Sequence, residues 1–112
     1  MKGGLFLYDE LIGEVDLEII DSSMGVIGGK LDCTTNYNKF KNQIQRFCSE
    51  KGIANSNDLP FLILVNDNIE LMPEGGIGVT DIKGFDEVHV DAAGLDLDSI
   101  NKLLYKELGL IG

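Results

Sequence analysis

Glu14-Val15-Asp16-Leu17-Glu18-Ile19, EVDLEI, alternates carboxylate and aliphatic side chains without a break. Successive side chains of a strand point to opposite faces, so Val15, Leu17 and Ile19 share one face and Glu14, Asp16 and Glu18 the other. One covered face and one wet face belong to antiparallel sheet, because parallel sheets are buried on both sides. The stretch predicts an antiparallel sheet with an acidic outer surface.

Working outward, Leu5 to Tyr8 is an apolar strand on the upstream side. Downstream, Asp21, Ser22, Ser23, Met24 and Gly25 predict a turn, and Val26 to Cys33 the returning strand. Gly28 and Gly29 interrupt that strand, which suggests a bulge, a bend or a face closely covered by another element. Thr34, Thr35 and Asn36 offer helix caps, after which Tyr37, Phe40, Ile44, Phe47 and Cys48 recur at intervals of three and four. The spacing predicts one amphipathic helix of about 14 residues, stopped by Gly52 in a left-handed conformation.

Phe61 to Val65 is a continuous apolar run, expected as a central strand covered on both faces. Asn66, Asp67 and Asn68 turn the chain into a short strand over Ile69 to Met72. PEGGIGVTD, residues 73–81, then predicts a turn at Gly75 and Gly76, with Ile77 to Asp81 as a hairpin partner for the preceding strand. Gly78 marks a close approach, expected from backbone of the same sheet. After a bend over Lys83 to Asp86, Val88, Val90 and Ala92 point inward while His89 and Asp91 point out. Asp96 or Asp98 caps a last helix carrying Leu97, Ile100, Leu103, Leu104 and Leu108 and ending at Gly109. The expected fold class is α+β, a mainly antiparallel sheet of about six or seven strands against two amphipathic helices, with residues 1–112 forming one compact domain.

The composition limits what such a domain can bind. With 19 acidic and 9 basic residues the formal charge is −10, which argues against a broad phosphate-binding surface and favours solubility, cation binding or docking onto a basic partner. Between Lys30 and Lys51 five basic residues face only Asp32 and Glu50. Tyr37, Phe40 and Phe47 in that segment fit the buried side of a helix rather than a surface that stacks nucleobases. No nucleic-acid or membrane partner is expected. The apolar run before Asp9 is too short for a signal peptide or a membrane span, so the chain is expected to be soluble and cytoplasmic.

Catalytic sets are hard to assemble. Cys33 and Cys48 have no second thiol pair or nearby histidine, so they make no zinc signature; Cys48 reads as a core residue, and a Cys33–Cys48 disulfide stays open. His89, the sole histidine, shares its strand face with Glu87 and Asp91, an arrangement for a solvated face, a pH-responsive group or a partner contact before a metal site. Asp67, Asn68 and Glu70, or Asp96 and Asp98, lack the glycine and distant glutamate of a calcium loop. The glycines of residues 73–81 follow Glu74 and lead into a strand, not a helix N-terminus, so no phosphate cradle forms. No catalytic residue, cofactor or metal site is expected.

The remaining candidate is a binding face made of Glu14, Asp16, Glu18, Glu87, His89 and Asp91, carboxylates on a rigid sheet offered to a basic protein. A short acidic domain, a glycine-rich hairpin from Glu14 to Cys33 and no catalytic set resemble, in type, the small bacterial immunity proteins that bind and neutralise a cognate toxin. That resemblance implies occlusion of a basic substrate-binding surface, commonly a nuclease's, and carries no diagnostic motif. A structural or regulatory accessory domain stays open as the alternative, with a small hydrolase or small-ligand binder behind it. Nothing in the sequence indicates a homo-oligomer.

Overall fold

The computed structural model describes residues 1–66, 68–96 and 98–102. Its strands are β1 (Lys2–Leu7), β2 (Glu10–Asp16), β3 (Glu18–Asp21), β4 (Val26–Cys33), β5 (Ala54–Asn55), β6 (Phe61–Val65), β7 (Ile69–Glu70), β8 (Gly76–Thr80) and β9 (His89–Ala93). All pairings are antiparallel, in the order β5-β8-β9-β4-β2-β1-β6-β7, with β3 beside β4. The α+β class stands, but among the described residues the sheet has nine strands rather than six or seven. The excess over seven comes from β5, two residues and too short to show a period, and from a break in the stretch that predicts the sheet; β7, expected over Ile69 to Met72, is confined to Ile69–Glu70.

That break is at Leu17. β2 and β3 are two pieces of one interrupted strand, and both pair with β4: Val15 opposite Leu31, Glu18 opposite Gly28. Leu17 leaves the ladder to donate its N–H to the Met1 carbonyl at 2.7 Å, while its side chain remains buried. The interruption depends on Gly29, where a Cβ would lie 2.4 Å from the Asp16 carbonyl oxygen. Beyond it the alternation fails: Val15 and Leu17 face the core, but Ile19 is 44% exposed, contrary to the expected inward position.

Cross-strand partners point to the same side of a sheet. One face carries Leu5, Val15, Leu31, Ile63, Val79 and Val90, all buried in a single core. A 3-10 helix, Thr35–Lys39, and helix α1, Lys41–Lys51, close over it with Tyr37, Ile44 and Cys48. The single predicted helix is therefore two, joined at Phe40. Thr34 takes the N-cap position without a side-chain capping bond; its side chain and that of Asn36 donate to the Leu11 carbonyl at 2.7 and 3.3 Å, tying the helix start to β2. Gly52, φ 86°, ends α1 with its N–H on the Cys48 carbonyl, as expected.

The expected hairpin of residues 69–72 with 77–81 does not form. β7 pairs with β6, whereas β8 lies between β5 and β9. Residues 73–76 still turn, with the Gly76 N–H on the Pro73 carbonyl, but Gly75 then bonds Ala93 across the sheet. Backbone of the same sheet does lie beside Gly78, at Asp91 and Asn55, but what presses on the position of a Cβ is the Ile53 side chain, at 2.4 Å. The last helix is described over 98–102, with Ile100 buried and Asp96 accepting from the Asp98 N–H and the Ser99 hydroxyl. The expected positions at Asp67, Leu97, Leu103, Leu104, Leu108 and Gly109 lie outside the described residues.

Candidate functional site

The face opposite the core is built by the same registers. Glu14 on β2 pairs with Asp32 on β4, and Lys2 with Asp16. Glu18, Gly28, Asp91, Gly78 and Asn55 form one continuous row across β3, β4, β9, β8 and β5. Next to it Lys30 pairs with His89, and His89 with Thr80. Glu87 precedes β9 and places a carboxylate oxygen 4.0 Å from the Lys30 ammonium. Glu14, Asp16, Glu18, Glu87, His89 and Asp91, which sequence reasoning singled out, therefore share one side of the sheet. All are exposed except half-buried Asp91.

Lys2, Lys30 and Asp32 are charged residues of this face that escape the sequence reading. Asp32 enlarges the acidic field, and Lys30 stands within it as a central cation. The signal for both was the alternation of β4, in which Lys30 and Asp32 flank buried Leu31.

Asp91 differs from the other carboxylates. Its row has glycine on both sides: a Cβ on Gly28 would come within 2.6 Å of the Ile20 methyl, and one on Gly78 would meet Ile53 and, at 3.0 Å, the Asp91 carboxylate itself. Ile20 and Ile53 thus lean over the glycines and wall in the carboxyl group. Burial pushes the Asp91 pKa above the ordinary carboxylate value, with His89 opposing through its positive charge.

The arrangement offers little for catalysis. Cys33 pairs with Gly13 in the register that faces away from His89, and burial and the charge of Asp81 raise its thiol pKa, keeping it protonated and poorly nucleophilic. Both cysteines are free. Among the described residues, no group of three or more His, Cys, Asp or Glu side chains is placed to hold a metal ion. None of the described helices is long and apolar enough to cross a membrane. The basic segment of the sequence is also partly neutralised, with Lys39 on Glu10, Arg46 on Glu50 and Lys51 on Asp58.

Alongside the carboxylates the outer face turns apolar. Phe6 on β1 pairs with Leu11 and Leu62, and Gly4 with Glu14 and Leu64. These four apolar side chains are half-buried. The Phe61–Val65 run is therefore a core strand on one face only: Phe61, Ile63 and Val65 are covered, whereas Leu62 and Leu64 border open depressions. No protein-family model, curated protein or solved structure matches the chain.

Proposed function

We propose that this protein is a non-enzymatic protein-binding module of the toxin-immunity type, which uses its acidic outer face to cover the basic substrate-binding surface of a partner. The observation that supports it is the common placement of Glu14, Asp16, Glu18, Asp32, Glu87 and Asp91 on one side of a rigid sheet. Such a field speeds encounter with a cationic surface and supplies paired contacts once docked. Lys30 and His89 within it favour a patterned partner that also carries an acceptor, over a uniformly cationic one.

Neutralisation is then stoichiometric occlusion and needs no catalytic group on this chain. Tagged protein recovered from its native cells should carry a basic protein in equal amount, and the partner's activity should fall to zero at one equivalent. Glu14→Lys with Glu18→Lys should break the complex and restore that activity. Recovery without any partner, or a complex indifferent to those reversals, would sink the proposal.

A further inference from the structure

The apolar half of the outer face has its own shape. Two depressions of about 540 and 280 Å³ adjoin along β1 and β6 and share Phe6 and Leu64. The larger reaches Tyr8 and Pro60, the smaller reaches Leu11 and Glu14. Gly4 leaves room in its floor, since a Cβ there would press within 3.1 Å of Leu11 and 3.2 Å of Phe6. The furrow runs beside β6, whose five residues span about 17 Å, the length of roughly three helical turns.

Its occupant is constrained by the backbone. β1 is paired on both edges, by β2 and β6; β6 is paired along its length by β1 and, on its other edge, by β7 at Leu64 and Val65. An extended segment laid across the face over β1 finds no free ladder to join, whereas a helix satisfies its own N–H and C=O groups and covers a sheet face as a second layer. Glu14 lines the furrow, and its cross-strand partner Asp32 continues from it into the acidic field. A second copy of this chain would bring the same carboxylates and another net charge of −10 against this rim.

We propose that the furrow receives an amphipathic helix of the partner protein, its apolar stripe seated over Phe6, Leu62 and Leu64 and its lysine or arginine edge over Glu14, Asp16 and Asp32. This rests on the protein-binding reading above and names the element of the partner that docks.

The test uses three synthetic peptides of about 14 residues, long enough for the three turns: an amphipathic leucine/lysine helix, the same composition scrambled to abolish the stripe, and a leucine/glutamate version of the helix. Calorimetry with the full chain should show one-to-one binding of the first, binding at least about tenfold weaker for the second, and none for the third. Phe6→Ala should weaken the first complex about tenfold, as should Leu64→Thr, which keeps a strand-favouring residue in case the phenylalanine is needed for folding. Glu14→Lys should weaken it as well.

Equal binding of the ordered and scrambled peptides, unaffected by Phe6→Ala and Leu64→Thr, overturns the helix and leaves the acidic face as a binder of cations. Binding of the glutamate peptide as tightly as the lysine one overturns the cationic edge. Absence of binding by both lysine peptides overturns the helix and the acidic-face reading together. Sedimentation of the free protein should show a monomer; a dimer dispersed by Phe6→Ala assigns the furrow to a second copy instead.

Discussion

Asp81 is a carboxylate 2% exposed, and what it holds is a loop. Tyr37 donates its hydroxyl to one oxygen at 2.6 Å, Gln45 its amide to the other at 3.1 Å, and the backbone N–H of Asp81 reaches the Cys48 sulfur at 3.4 Å. The helices thereby fix the start of the 82–87 segment, in which Phe85 is 72% exposed. Tyr37→Phe should cost about 2 kcal/mol in urea unfolding, because it leaves a buried acceptor short of a donor. Burial and the Asp81 hydrogen bond raise the Tyr37 pKa far above its ordinary value of 10.0. The unfolded chain releases that proton first, so this contribution is intact below pH 10 and declines as pH rises beyond it; Tyr37→Phe should flatten that part of the stability profile. Asp91 runs the other way. Its raised pKa means that the charged form opposes folding at neutral pH, and the penalty disappears as pH falls through its folded value. Asp91→Asn should stabilise the protein at pH 7 by less than about 1 kcal/mol, given its partial hydration, with no gain near pH 3. The same variant should bind the basic partner more weakly, the expected exchange of stability for function. A loss of stability at pH 7 would contradict that account.

Among the elements, the break between β2 and β3 depends on a single residue, Gly29. Gly29→Ala puts a methyl 2.4 Å from the Asp16 carbonyl oxygen, a backbone atom that cannot move without shifting both strands. A loss of about 2 kcal/mol is expected by thermal or urea unfolding, in the range of overpacked cores. Gly52→Ala, with φ 86° but nothing within 4 Å, should lose only about 1 kcal/mol. Equal effects of the two would mean that the Asp16 contact is soft. The same pair shows what the sequence could and could not reveal. Gly52 follows an amphipathic run and could be read as a helix stop from spacing alone, as β4 and β6 could from their composition. Gly29 reads only as an interruption, because what approaches it is sixteen-to-twenty-nine contact across the sheet, set by tertiary pairing. Likewise β7 and β8 look like a hairpin from their adjacency, yet their true partners are β6 and β9. The acidic face could be assembled because alternation reports sidedness directly. The furrow could not, since a continuous apolar run looks the same whether its second face is covered or open.

For the molecule as a whole, the question is whether a charge of −10 is spread evenly or concentrated. Six carboxylates, from Glu14, Asp16, Glu18, Asp32, Glu87 and Asp91, share one sheet face, set against Lys2, Lys30 and the Met1 ammonium 3.1 Å from Asp16, so mutual repulsion should be greatest there. Raising sodium chloride from about 20 to 500 mM shortens the screening length from roughly 20 to 4 Å and should raise the melting temperature by a few degrees. Neutralising Glu14, Glu18 and Asp32 together, as Gln, Gln and Asn, should remove more of that increment than the same treatment of exposed Glu70, Glu74 and Asp86. Both triple variants change the net charge equally, so any difference between them reports position alone. The outer-face variant should be more stable than the parent at low salt and should bind a basic partner more slowly, because the same field that strains the free protein draws the partner in. If the two triples respond alike to salt, the acidity is a dispersed surface property, and the face loses its claim to have been concentrated for binding.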